Sequence, residues 1–404
     1  MNDSTDFARR RLLRAALSGA LLAPAATLSF ATTRGTGNSG GNGRFVLVIL
    51  RGGMDGLYAV PAVGDPEFAA ARGALAQYTS APLPLEGPFA LHPALASLHE
   101  AWGKREALVL HAVGLPYRER SHFDAQNVLE GGGTRPFELD SGWLGRALGR
   151  DGRGIALATA VPLVLRGPGS PDTWSPSTLP DPSADLVARL EHLYGSDAAL
   201  AEALARAKAL RQDGSMPADA NAGDNMAGGK RRSGPFVPLA RRAAEFLAQP
   251  TGPRVAVLEL GGWDSHANQA AANGATTQAL HTLDAGLAAL REGLTASGIW
   301  RDSVVVVASE FGREVAINGT QGSDHGTGGA AFVLGGAIRG GRVLTDWPGL
   351  AKKDRFEGRD LRITTDLRAL LKGVLGEQLQ VAASRLDGEV FPGSAGVRPL
   401  AVLA

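Results

Sequence analysis

Five short, nearly uninterrupted apolar runs limit what this chain can become. They are Arg44–Leu50 (RFVLVIL), Ala107–Val113 (ALVLHAV), Arg254–Leu260 (RVAVLEL), Ser303–Ala308 (SVVVVA) and Ala330–Leu334 (AAFVL). None alternates apolar with polar residues, so each predicts a strand covered on both faces, as in a parallel sheet between helical layers. Helical stretches lie between them, at Pro93–Lys104, His122–Leu129, Phe236–Ala248, Thr276–Ser297 and Thr365–Leu375. The expected fold is therefore α/β: a mostly parallel open sheet flanked by helices, with right-handed crossovers. At 404 residues, 44% of them hydrophobic, the chain can bury a large core.

Between Gly131 and Pro250 the pattern loosens. A strand is expected at Ala160–Leu165, followed by a Pro-rich loop, a helix at Asp197–Arg211 and a polar stretch at Asp213–Gly234. The composition of that last stretch predicts disorder. We read residues 131–250 as a cap inserted into a domain spanning 44–404. The N-terminus reads as an address. Arg9-Arg10 with Leu12-Leu13 and Arg14 precede an apolar run from Ala15 to Leu28, then Ser29-Phe30-Ala31. This is the layout of a twin-arginine signal peptide over residues 1–31, followed by a Gly-rich tether over 32–43. Export to the periplasm is the expectation. The apolar run is short and broken by Pro24, so no stable membrane span is expected.

Composition narrows the chemistry. With no cysteine, any metal must be held by Asp, Glu, His or hydroxyl oxygen. A net charge of +1 with no concentrated basic face excludes nucleic acid as a partner. In open α/β sheets ligands gather at the carboxyl ends of strands, and there the acidic residues and histidines recur. RFVLVIL leads into RGGMDG with Asp55, and RVAVLEL into GGWDSH with Asp264 and His266. SVVVVA leads into SEFGR with Glu310, and AAFVL is preceded by SDHGTGG with Asp324 and His325. The loop after ALVLHAV carries RERSHFD, with Arg118, Arg120 and Ser121. Asp264 and His266, two apart on an extended turn, point to one side and can share a cation. The set suits one or two divalent ions among Zn, Mn, Mg and Ca.

Each position also has a structural reading. Asp55 fits a turn, Glu310 an ion pair with Arg313, and Ser121 with Asp124 a helix cap. Read functionally, Ser121 is a nucleophile at a helix start, with Arg118 and Arg120 holding the anion. His92, His99, His111, His192 and His281 fall in helical or core patterns and read as structural. No G-x-S-x-G elbow follows any of the apolar runs, which argues against an α/β-hydrolase.

Taken together and in order, LRGGMDG, RSHFDAQ, GGWDSH, SEFGR and SDHGTGG resemble the bacterial family called domain of unknown function 1501. That family is grouped with the alkaline phosphatase superfamily, alongside sulfatases and cofactor-independent phosphoglycerate mutases. The resemblance implies an alkaline phosphatase-like fold, with one or two metals at the strand ends and a hydroxyl nucleophile. It assigns Asp55 as the first-strand ligand, Ser121 as nucleophile, and Asp264, His266, Glu310, Asp324 and His325 as further ligands. Two departures stand out. Asp264 and His266 are two apart where the superfamily has four, and Glu310-Phe311 replaces an Asp-His pair. Phe311 cannot bind a metal, so His325 is expected to supply the missing imidazole. The implied activity is hydrolysis of small phosphate or sulfate esters. The alternative is a non-catalytic exported protein that keeps the fold and binds a ligand or an exported protein partner.

Overall fold

The computed structural model describes residues 43–176, 182–212, 236–271 and 273–404. The signal peptide, all of the tether but Gly43, and the polar stretch expected at Asp213–Gly234 lie outside the described residues. The apolar runs form strands. Four central ones are β1 (Arg44–Leu50), β4 (Ala107–Gly114), β7 (Val255–Leu260) and β8 (Ser303–Ser309). A short ladder of β2 (Leu83–Pro84) and β3 (Ala90–Leu91) stands apart. β5 (Gly154–Ala156), β6 (Asp172–Thr173), β9 (Gly329–Leu334), β10 (Val343–Leu344) and β11 (Thr365–Asp366) complete the main sheet. Its order is β10-β4-β9-β8-β1-β7-β5-β6, with β11 also on β4.

β9 runs antiparallel to its neighbours β4 and β8, and every other pair in this sheet is parallel. The carboxyl ends of β1, β4, β7 and β8 therefore share one edge, and reversed β9 begins there. All five motif-bearing loops meet along that edge for this reason.

Alternation along β1 sends Phe45, Leu47 and Ile49 to one face and Val46, Val48 and Leu50 to the other. On the second face lie α1 (Ala96–Gly103), α3 (Phe236–Ala248) and α4 (Ala275–Ala296); on the first lie α2 (His122–Gly131) and α5 (Leu367–Gln378). Leu280, Leu283, Leu287, Leu290 and Leu294 of α4 recur at three- and four-residue spacing and are all buried. Each such side chain contributes about 1.5–3 kcal/mol of burial. Asp284 of α4 accepts from the Ser97 and Leu98 N–H groups at 3.0 and 2.9 Å, satisfying the otherwise open start of α1.

The described part of residues 131–250 adds β5 and β6 to one side of the sheet. The strand expected at Ala160–Leu165 is absent, and Leu163–Leu165 forms a 3-10 turn instead. Pro162 has no N–H to give a ladder, and its carbonyl accepts from Leu165 N at 3.1 Å. Thr365–Asp366 extends the sheet, so the helix expected at Thr365–Leu375 starts at Leu367, with Asp366 accepting the Arg368 N–H at 2.9 Å. Among the described residues no helix is long and apolar enough to cross a membrane.

Candidate functional site

Three imidazoles converge on one carboxylate at the carboxyl edge. Asp264 Oδ1 lies 2.8 Å from His266 Nε2, 3.1 Å from His325 Nε2 and 3.4 Å from His122 Nε2. His325 Nε2 is also 3.0 Å from His122 Nε2 and 3.1 Å from His266 Nε2. Every ring turns its other nitrogen to an acceptor. His122 Nδ1 meets Glu310 Oε1 at 2.8 Å, His266 Nδ1 meets Asp324 Oδ1 at 2.9 Å, and His325 Nδ1 meets the Arg120 carbonyl at 3.0 Å. A neutral ring that donates from Nδ1 keeps an Nε2 lone pair, so in that protonation state three lone pairs face inward. Neutral imidazoles cannot satisfy one another Nε2 to Nε2, whereas a cation satisfies them all. His122, Asp264 and His325 offer donor atoms mutually 3.0–3.4 Å apart, close to the spacing of ligands about 2.0–2.1 Å from one zinc ion.

The surroundings hold this geometry. Glu310, 1% exposed, also accepts from Gly52 N at 2.8 Å and Gln126 Nε2 at 3.0 Å. Asp324 also accepts from Asn318 Nδ2 at 3.1 Å. Buried Arg313 reaches Asp264 Oδ1 at 2.6 Å and donates to the carbonyls of Gly52, Gly53, Trp263 and Ser323. Its planar fork thus ties together the loops after β1 and β7 and the one before β9. Burial opposes charge on Asp264, but hydrogen bonds from His122, His325 and Arg313 outweigh it and hold its carboxyl far below the usual range. Burial likewise opposes charge on His122, yet hydrogen bonds to Asp264 and Glu310 raise it to about 9 without a metal. The hydrogen bond from His266 lowers Asp324.

Asp264, His266 and His325 thus come together with one another, while Glu310 and Asp324 stand behind the rings. The others lie elsewhere or act differently. Asp55 is 2% exposed and pairs with none of the cluster histidines. Its Oδ1 accepts Tyr58 N at 3.1 Å; its Oδ2 accepts Gln269 Nε2 at 2.7 Å and pairs with buried Arg72. Those three partners take most of its acceptor sites, so here Asp55 serves the buried ion pair with Arg72, the structural alternative to a ligand role. Arg120 enters the site through its carbonyl. Its guanidinium pairs with Asp360 at 2.7 Å and Glu357 at 2.6 Å. The Arg118 guanidinium turns back to the Leu115 carbonyl. Ser121 sits at the start of α2, beside His122, and makes no side-chain cap bond. Asp124 accepts the Tyr117 hydroxyl at 3.0 Å. Glu310 pairs with His122, not Arg313.

His122 escaped the sequence reading. It looks like an ordinary first-turn residue, and its only signal was its place in the loop after an apolar strand. Gln126, four residues on along the same helix, escaped for the same reason.

The fold and cluster define an α/β protein with a histidine–carboxylate pocket, able to hold a metal ion, at the carboxyl edge of its sheet. Residues 53–390 match the family described as Protein of unknown function (DUF1501), and the chain belongs to that family. No curated protein matches the sequence. Among solved structures it is similar to the lipoteichoic acid synthase LtaP from Listeria monocytogenes, at 11% identity over 87% of this chain and 76% of that one, TM-score 0.41. It is also similar to a protein in the alkaline phosphatase superfamily from Vibrio parahaemolyticus, at 12% identity over 74% and 61%, TM-score 0.36. The C-terminal periplasmic domain of EcEptC from Escherichia coli, in complex with Zn, gives 11% identity over 74% of each chain, TM-score 0.37.

Proposed function

We propose that this chain is an exported, metal-dependent hydrolase-like protein that acts on small phosphate or sulfate esters in the periplasm. The observation that carries the reading is the convergence of three Nε2 atoms on Asp264 Oδ1, with every Nδ1 tied behind. His122, Asp264 and His325 would hold one divalent ion, with His266 beside them. The nitrogen-rich donors favour Zn over Mg and Ca. Such an ion supplies Lewis-acid charge to an ester oxygen and helps deprotonate a nucleophilic hydroxyl. Glu310, Asp324 and the Arg120 carbonyl fix the ring tautomers, and Arg313 holds the Asp264 carboxylate toward the rings. Ser121, free of capping duty and adjacent to His122, is the nucleophile in this reading. Residues 131–250 remain the proposed cap.

One observation favours the alternative, a non-catalytic periplasmic binding or assembly protein. Neither Arg118 nor Arg120 turns its guanidinium into the cluster to meet an anion. Elemental analysis of chelator-free protein, paired with turnover of aryl phosphates and sulfates, separates the readings. The hydrolase reading expects near-stoichiometric metal that drops in His122→Ala/His325→Ala, and turnover that disappears in Ser121→Ala. Metal without turnover, together with a co-purifying protein, favours the alternative. A protein that takes up no Zn, Mn, Mg or Ca sinks the metal reading.

A further inference from the structure

A groove of about 490 Å³ runs along the face of α2 that carries Phe123, Gln126 and Asn127, and Phe123 directly follows His122 of the cluster. Gln126 links the groove to the support behind His122, because its Nε2 donates to the same Glu310 oxygen that holds the His122 Nδ1. Two phenyl rings line this groove in open water: Phe123 is 84% and Phe137 70% exposed. Most large apolar side chains among the described residues are buried, so two exposed rings on one groove call for a reason.

Phe137 carries a second signal. Its φ is 55°, a left-handed conformation that bulky side chains avoid. Asn127 holds it there, its Oδ1 accepting the Phe137 N–H at 2.6 Å. The backbone is thus strained to present a ring that gains little from packing, a pattern found where a ligand is met. Charge says what kind of ligand. The four charged lining residues cancel, and Arg51 is already paired with Glu130 and Glu259, each at 2.7 Å.

We infer that this groove binds the uncharged, ring-bearing half of the ester, laid against Phe123 and Phe137 while the anionic group sits at the cluster. The recognised chemistry is a ring with an apolar face, aryl or pyranose. The inference rests on the reading of the cluster as an ester site.

Calorimetric titration of the zinc-loaded full chain with inorganic phosphate, phenyl phosphate and glucose 1-phosphate tests it. At least one ring-bearing ester is expected to bind roughly tenfold tighter than inorganic phosphate, from ring burial alone. Phenyl phosphate against glucose 1-phosphate tells which ring type the groove takes. Phe123→Ala and Phe137→Gly are expected to abolish the gain and leave phosphate affinity and metal content unchanged. Phe137→Gly also relieves the strain, so its Tm is expected to hold or rise. A lower Tm with undiminished ring affinity would make Phe137 structural and overturn the inference. So would ring esters that bind no tighter than phosphate. If none of the three anions binds while zinc is retained, the ester reading fails and the groove inference with it.

Discussion

Asp55 and Glu310 both follow buried strands, yet their carboxylates do different work. Asp55 faces Arg72, which is fully buried, so Asp55→Asn leaves an uncompensated charge inside the protein. The expected loss is about 3–5 kcal/mol, read as a lower urea midpoint, with metal content unchanged. Metal lost in step with stability would return Asp55 to the ligands. Glu310 acts through His122. Glu310→Gln removes the charge behind that ring, and Asp324→Asn does the same behind His266. Each is expected to weaken metal affinity about 10–100-fold, measured by competition with a fluorescent chelator. Unchanged affinity in both would show that the rings need no support from behind.

At the scale of elements, the site depends on how closely the loop after β8 approaches the start of β9. A Cβ on Gly312 would lie 1.9 Å from the Gly328 carbonyl oxygen, a contact no side chain makes. Gly326 donates to the Gly312 carbonyl at 3.0 Å, and Gly312 to the Thr327 carbonyl at 3.1 Å. Gly312→Ala must therefore spread the two loops that position Glu310 and His325. Overpacking of this kind costs typically about 1–3 kcal/mol. The variant is expected to melt earlier and also to bind metal more weakly. A lower Tm with full metal affinity would show the two loops to be less coupled than this packing implies.

Across the whole molecule, two histidines outside the cluster make stability depend on pH. His111 is fully buried; its Nε2 donates to the Val60 carbonyl at 2.9 Å and its Nδ1 accepts from Ala112 N at 2.8 Å. His92 Nδ1 likewise accepts from Ala94 N at 3.0 Å. Protonation would set N–H against N–H in both. Burial lowers each from 6.5 to about 4. The unfolded chain therefore takes up these protons first as pH falls. Their stabilisation is complete above about pH 6.5 and drains away toward pH 4, by up to about 3 kcal/mol per residue. The His122→Ala/His266→Ala/His325→Ala variant separates this effect from metal release. Its Tm is expected still to fall between pH 6.5 and 4.5, and a flat profile would contradict the assignment.

The sequence by itself determined the sheet and the edge where the chemistry gathers. Strands covered on both faces must be apolar throughout, and parallel strands put all their carboxyl ends together. RFVLVIL, RVAVLEL and SVVVVA are legible for that reason, and so is the placing of Asp264 and His266 at that edge; His325 reaches it only because β9 runs antiparallel. Only the tertiary structure decided which side chains share a point. β4 lies beside β9, a neighbour more than two hundred residues away, and that pairing brings His122 to His325. Arg72 claims Asp55, and the carboxylates at 357 and 360 claim the Arg120 guanidinium. No local pattern encodes such partners, because a carboxylate at a strand end looks the same whether a metal, an imidazole or an arginine will face it.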